Sequence, residues 1–113
     1  MIRNDSTKEA IIFRYSATPT GSITTSGTKY LRQIDYAHGN SGVTAANWTN
    51  FYNNASSKTN ITLDATASYS YDAEGRIAVA KDQLSGYEVR YTYSSAGKVT
   101  AIEEYAGSTA GQK

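Results

Sequence analysis

Apolar and polar residues alternate most clearly in the C-terminal half of this chain. In the segment 87–93, every odd-numbered residue is tyrosine or valine, while the even-numbered residues are Glu88, Arg90 and Thr92. Tyr69 and Tyr71 flank a serine in the same manner. A period of two is typical of a strand with one buried face. The pattern therefore predicts antiparallel strands over this half of the chain.

Two short turn signals separate these strands. The segments 72–75 and 94–97 read D-A-E-G and S-S-A-G, so each begins with a residue that can cap a type I turn and ends with glycine. Glycine at the fourth position accepts the positive φ that closes a hairpin. We therefore predict two β-hairpins, with the structural turn residues Asp72, Gly75, Ser94 and Gly97.

The N-terminal half of the chain is less regular. Residues 10–15 and 29–36 have the composition of strands and would form a degenerate hairpin over residues 10–37. A Ser/Thr/Gly-rich insert that holds Pro19 would be its long loop.

The polar segment 38–59 carries three aromatic residues. They are Trp48, Phe51 and Tyr52. A connection of this length without secondary structure is uncommon in a compact domain. Either the segment wraps the sheet with its aromatic rings tucked beneath it, or residues 45–53 make a short helical turn. Residues 61–63 then begin the next candidate strand.

The composition favours strands over helices. Isoleucine, leucine, valine and phenylalanine together number 17 of 113 residues, whereas there are ten tyrosines. Such leucine-poor, tyrosine- and threonine-rich sequence favours β-structure. We predict one all-β domain over residues 1–113, an antiparallel meander of roughly six or seven strands that either curls into a partial barrel or packs in two layers. Its outer strands would be residues 10–15 and 98–105, and the tail 108–113 would be frayed.

Charge and cysteine content exclude several classes of function. Eleven basic and ten acidic residues give a net charge of +1, too little to attract nucleic acid. The absence of cysteine excludes disulfides, thiolate metal sites and cysteine nucleophiles. No apolar run approaches the ~20 residues that span a bilayer, and no export signal is visible in this chain.

An offset of 22 residues superposes the two predicted hairpins. It brings Tyr69 onto Tyr91, Tyr71 onto Tyr93, Asp72 onto Ser94, Gly75 onto Gly97, Arg76 onto Lys98 and Ile77 onto Val99. The unit Y-x-Y-D-x-x-G-R-I, from Tyr69 to Ile77, resembles the YD repeat of the Rhs family, where leucine usually occupies the last position. The second unit departs from that pattern at Ser94, Lys98 and Val99.

The resemblance covers about Tyr69–Tyr105 and implies YD-like repeats at 66–86 and 87–107. Large Rhs-like proteins wind many such hairpins into a hollow shell, and some bacterial members enclose a toxin. Two or three hairpins cannot close such a shell. Short YD-type proteins also occur at bacterial cell surfaces, and the resemblance therefore implies an extracellular or cell-surface location in bacteria.

Candidates for catalysis or metal binding are few. His38 is the only histidine, and no Gly-x-Ser-x-Gly elbow accompanies it. Asp72 and Glu74 lack the remaining oxygen ligands of a calcium loop. Glu103 and Glu104 are consecutive, so they would lie on opposite faces of a strand rather than in one cleft. We therefore assign no catalytic residue, no metal and no cofactor, and expect that the protein is not an enzyme.

The aromatic residues leave one ligand hypothesis. Trp48, Phe51 and Tyr52 in the polar loop could stack on a glycan. Four further tyrosines are interpreted as a cross-strand ladder that forms the core, in preference to a ligand platform: Tyr69, Tyr71, Tyr91 and Tyr93.

The expected function is that of a non-catalytic binding or scaffold module with a protein or glycan partner. The alternative is a fragment of a larger YD-repeat shell, in which edge-to-edge association of exposed strands continues the sheet.

Overall fold

A computed structural model describes residues 1–106; the predicted frayed tail 108–113 lies outside the described residues. The described part contains eight strands and one helix. Their bounds are β1 Ile2–Asn4, β2 Glu9–Ser16, β3 Ile23–Thr24, β4 Tyr30–Gly39, α1 Ala45–Asn53, β5 Ile61–Tyr71, β6 Ile77–Asp82, β7 Glu88–Tyr93 and β8 Val99–Tyr105.

The all-β prediction is confirmed. All strands pair antiparallel in one sheet of order β1-β2-β4-β5-β6-β7-β8, with β3 attached to the end of β2. The sheet does not close into a barrel, and no second sheet packs on it within residues 1–106. There are eight strands rather than six or seven, because two short strands pair with the outer side of β2.

The prediction that residues 10–15 form an outer strand was wrong. β1 pairs Ile2 with Ile11 and β3 pairs Thr24 with Tyr15, so both ends of β2 are covered by a neighbour. These short strands lie in segments too polar for alternation to reveal them. At the opposite side of the sheet, β8 is the edge strand, as expected.

The helix α1 lies within the segment that was expected to be a polar loop. Thr44 caps it: the Thr44 hydroxyl accepts from the Asn47 backbone N–H at 3.1 Å, and the Asn47 side chain accepts from the Thr44 backbone N–H at 2.9 Å. This reciprocal pair is a capping box. Trp48 and Phe51, one turn apart, face the sheet and are almost fully buried. With them the core contains Ala10, Ile12, Ala37 and Ile61.

Arg14 fixes the C-terminal end of α1 to the sheet. Its guanidinium donates to the carbonyl oxygens of Phe51 and Tyr52 at 2.9 and 2.7 Å, and to the carboxylate of Asp35 at 2.8 Å. Cations are favoured at helix C-termini because unpaired carbonyl groups converge there. Thr66 and Gln33 donate to the other Asp35 oxygen, so the buried carboxylate is fully satisfied.

Three hairpins of the sheet repeat the same irregularity. In each, a tyrosine follows a register shift and pairs with an apolar residue of the returning strand: Tyr15 with Leu31, Tyr71 with Ile77 and Tyr93 with Val99. Each shift leaves one extra residue on the returning strand, which is Arg32, Ala78 or Thr100. Such bulges bend a strand and increase its twist. The repeat seen in the sequence is therefore also a repeat of backbone geometry.

The second tyrosine of each C-terminal unit also makes an equivalent hydrogen bond. The Tyr71 hydroxyl donates to the Leu31 carbonyl at 2.7 Å, and the Tyr93 hydroxyl donates to the Ile77 carbonyl at 2.6 Å. Leu31 and Ile77 hold corresponding positions in their hairpins. Each unit is thus fastened to the unit before it through one phenol.

The interpretation of the four repeat tyrosines as the core was wrong. Tyr69, Tyr71, Tyr91 and Tyr93 are only half-buried, and the buried cluster lies under α1 instead. The reason is the strand register: these tyrosines lie on the face of the sheet opposite α1, and Tyr69 and Tyr91 pair with Ala80 and Ile102 rather than with each other.

Candidate functional site

The two faces of the sheet differ in what covers them. Residues directly opposite each other on paired strands share a face. Ala10 pairs with Ala37 on the face beneath α1, which we call the helix face. Ile11 pairs with Tyr36 on the other side, which we call the open face. Within residues 1–106, no helix or strand packs over the open face.

The open face carries an apolar trough of about 420 Å³. Its floor consists of the alanines on β5 and β6, Ala65, Ala67 and Ala80. Taller side chains surround this floor: Ile34 and Tyr36 on β4, Tyr69 on β5, Tyr87 just before β7, and Val89 on β7. Small residues between rows of large ones leave a depression, because the alanine methyl groups end well below the tyrosine rings.

A tyrosine–carboxylate pair stands on each flank of the trough. The Tyr36 hydroxyl donates to the Glu9 carboxylate. This hydrogen bond is the main cause that raises the pKa of Tyr36, and burial and the charges of Glu9 and Asp64 add to it. Burial is the main cause that raises the pKa of Tyr87, and the hydrogen bond with Glu104 adds to it.

The basic side chains of the strands lie on one face only, whereas acidic side chains lie on both. On the helix face, the acidic residues are Asp35, Glu88 and Glu103. By register, the acidic residues Glu9, Asp82 and Glu104 share the open face with Ala67 and Val89. The basic residues of the strands point the other way. Register and contacts place all of them on the helix face: Arg3, Arg14, Arg32, Lys81 and Arg90. On the open face, Glu9 and Glu104 thus stand on the two flanks of the trough, and Asp82, directly opposite Ala67, lines it.

His38 and Asp64 form an ion-pair geometry at one end of the open face. The Nδ1 atom of His38 lies 2.7 Å from a carboxylate oxygen of Asp64, which is the extra residue of the β4–β5 bulge. A carboxylate on Nδ1 orients an imidazole in catalytic triads as well. Here, however, the side chains are 47% and 33% exposed on an open surface. The arrangement suits a role in holding the bulge in place.

The loop aromatics do not form a ligand platform, so that hypothesis was wrong for Trp48 and Phe51. The exposed fractions of these residues are 2% and 0%, because the helical spacing turns both rings onto Ala10 and Ile12. Tyr52 is half-buried and packs against the same cluster. A sugar ring cannot reach the two buried rings without displacing α1.

The four predicted turn residues hold two hairpin turns of the same geometry. Gly75 and Gly97 have φ angles of +85° and +84°, and each donates its backbone N–H to the carbonyl of the residue three positions earlier. Asp72 accepts from the backbone N–H of Glu74 and of Arg76, and the Arg76 guanidinium lies 2.8 Å from its carboxylate. The backbone hydrogen bond from Arg76 is the main cause that lowers the pKa of Asp72, against the opposing effect of burial.

Within residues 1–106, no group of three or more histidine, aspartate or glutamate side chains is arranged to hold a metal ion. In the same part of the chain, the only helix is too short and too polar to cross a bilayer.

Sequence reasoning missed the open face, although a signal for it exists. Ile34 and Tyr36 on β4, and Ala65, Ala67 and Tyr69 on β5, each recur at a spacing of two. Alanine is too small to mark a strand face by itself, and the bulge between Tyr36 and Ala37 breaks the alternation nearby. Comparison with protein-family models, with curated proteins and with solved structures found no match to this chain.

Proposed function

We propose that this chain is a non-catalytic binding module of a bacterial cell surface or secreted protein, and that it binds through the open face. The observation that carries the proposal is the uncovered apolar trough, with aromatic walls on a rigid antiparallel sheet. Concave apolar surfaces with a few polar groups at their borders are the usual form of binding sites. The bacterial location rests on the resemblance of the hairpins to YD repeats.

Binding arrays with two matched variants test this proposal. Ala67→Gln places a polar side chain in the trough, whereas Ser70→Gln makes the same change on the helix face of the same strand. On peptide and glycan arrays, the wild-type protein and the Ser70→Gln variant should bind the same ligands. The Ala67→Gln variant should not bind them. Ligands that survive Ala67→Gln but are lost with Ser70→Gln would place binding on the wrong face and refute the proposal.

The second candidate is a segment of a larger YD-repeat shell. The three equivalent bulges favour it, because a repeated geometry can be continued by further hairpins. The Cα radius of gyration is 16.1 Å, larger than the roughly 13 Å of a compact domain of this length. An elongated single sheet is the form expected of a piece of a spiral.

Light scattering after size-exclusion chromatography separates the two candidates. A monomer near 12.2 kDa at all concentrations supports a module that stands alone. Oligomers that grow with concentration, and that a proline in β8 abolishes, support association through strand edges.

A further inference from the structure

We propose that the trough of the open face receives an amphipathic helical segment of a partner protein, with lysine or arginine residues flanking its apolar stripe. This inference rests on the proposed function and specifies the class of partner. Three observations carry it: the shape of the trough, the way α1 packs on the opposite face, and the distribution of charge.

The width of the trough fits a helix. Its outer walls rise from β4 and from the start of β7, strands whose axes are three strand spacings or about 14 Å apart, and Tyr69 rises from β5 between them. An α-helix with side chains has a diameter of about 10–12 Å. Because the residues of the floor are small, a helix can approach the backbone of the sheet closely.

The helix face of the same sheet shows how a helix packs on such a floor. There α1 lies over Ala10 and Ala37, and its two large rings fill the space between them and Ile12. On the open face, Ala65, Ala67 and Ala80 provide an equivalent floor. The partner segment would therefore present large apolar side chains at the spacing of Trp48 and Phe51, which lie on one helix face.

The charges select a basic partner. Glu9 and Glu104 stand on opposite flanks of the trough, and each accepts one phenolic hydrogen bond. A carboxylate has about four acceptor positions, so both can still bind an ammonium or guanidinium group. The tyrosine rings beside them offer cation–π contacts to the same groups.

The same charges disfavour the other occupants. Anionic lipid and nucleic acid carry the same sign as the borders of the open face. Two copies of the chain packed by their open faces would bring acidic borders together, which like-charge repulsion opposes. A neutral glycan can donate hydroxyl hydrogen bonds to the four carboxylates around the trough, but it lacks the charge attraction that a basic segment gains from them: Glu9, Asp64, Asp82 and Glu104.

Calorimetric titration with two 14-residue peptides tests the inference. Both carry the same leucine stripe; one has lysine at the flanking positions and the other has glutamate. We expect the lysine peptide to bind the wild-type protein at least tenfold more tightly than the glutamate peptide at low salt. The preference should shrink as salt is added, since salt screens exposed charges.

Two double variants with equal net charge test whether the carboxylates beside the trough cause the preference for lysine. Glu9→Gln with Glu104→Gln should remove most of the preference for lysine, because glutamine keeps the shape but not the charge. Asp5→Asn with Glu74→Gln removes two exposed charges elsewhere and should preserve the preference. Ala67→Gln should lower the affinity for both peptides.

Other results would overturn the inference and bear differently on the proposed function. Equal affinity for both peptides, lost in Ala67→Gln, would refute a basic partner yet support the open face as the binding surface. Failure of both peptides to bind at millimolar concentration would refute a helical partner, and the arrays would still decide the proposed function. Binding that Ala67→Gln leaves unchanged would contradict both. A wild-type protein that dimerises through the trough would replace the partner with a second copy.

Discussion

Arg14 lies in the middle of β2 with only 7% of its side chain exposed, and Asp35 beside it is 1% exposed. A buried guanidinium is tolerated here because each of its three nitrogen atoms donates a hydrogen bond, to an oxygen atom of Asp35, Phe51 or Tyr52. The alternation of residues 9–16 places Arg14 on the same face as Ala10 and Ile12. The sequence does not reveal the helix end that the arginine binds, because Phe51 lies 37 residues further along the chain.

Loss of Arg14 should destabilise the protein strongly. Arg14→Met leaves the Asp35 carboxylate buried without its cation, which costs about 3–5 kcal/mol in comparable buried pairs. Urea unfolding measures the loss, and Arg3→Met, at an exposed pair, should change the free energy of unfolding by less than about 0.5 kcal/mol. Arg14→Met with Asp35→Leu should recover part of the stability. An Arg14→Met protein within about 1 kcal/mol of the wild type would contradict the buried pair.

Asp72 should make stability depend on acid pH. Its pKa in the folded protein lies below the ordinary value of 3.8, so the stabilisation is complete above that value and is lost as the pH falls through the lowered folded-state pKa. Asp72→Ser, which copies the equivalent Ser94, should remove this dependence while keeping a turn cap. The urea midpoints of the two proteins should differ at neutral pH and converge toward pH 2. A difference that is constant over this range would count against the lowered pKa.

At the scale of elements, α1 depends on its capping box and on its two buried rings. The nine-residue helix is shorter than isolated helices that persist in water. Its polar sequence allowed either a helical segment or a loop with its aromatic rings under the sheet. The structure combines the two: residues 45–53 are helical, and two of their aromatic rings pack against the sheet.

Thr44→Ala should therefore destabilise the protein by about 1 kcal/mol, the usual cost of losing an N-cap. Thr49→Ala is the matched control, since Thr49 is exposed inside the helix and bonds only to the Ala45 carbonyl one turn earlier. Alanine is the better helix former there, so this variant should be neutral or slightly more stable. Thermal unfolding followed by far-ultraviolet circular dichroism compares them, and equal losses from both variants would show that the cap has no special role.

The repeated hairpins give a second test at this scale. Tyr71→Phe removes the hydrogen bond to the Leu31 carbonyl and should cost about 0.5–1.5 kcal/mol. Tyr93→Phe should cost less, because its bond to Ile77 is more exposed. In residues 1–106 the Tyr91 hydroxyl has no hydrogen-bond partner, so Tyr91→Phe should be nearly neutral. If Tyr91→Phe costs as much as Tyr71→Phe, the hydroxyl bonds do not fasten the repeats.

A structural feature can be predicted from the sequence when the residues that form it lie close together along the chain. The turns at Asp72 and Ser94 depend on four adjacent residues, so their chemistry is visible in the sequence. β1 and β3 depend on pairing with β2, which lies several residues away, and their own sequences carry little signal. The open face depends on the register of four strands and on alanines whose meaning appears only beside Tyr36 and Tyr87.

At the scale of the whole molecule, the sheet is asymmetric. One face is partly covered by α1 and carries all the basic side chains of the strands, while the other presents apolar residues accompanied by carboxylates. Exposed apolar surface of this kind is typical of interaction sites.

Paramagnetic broadening of alanine methyl signals by a neutral nitroxide in solution tests the exposure of the open face directly. The protein carries its own controls, because Ala10 and Ala37 lie beneath α1 while Ala65, Ala67 and Ala80 line the trough. We predict that the nitroxide broadens the three trough methyls strongly in the monomer and leaves the two methyls under the helix sharp. Equal protection of both sets would mean that the open face is covered, and would contradict its role as the binding surface.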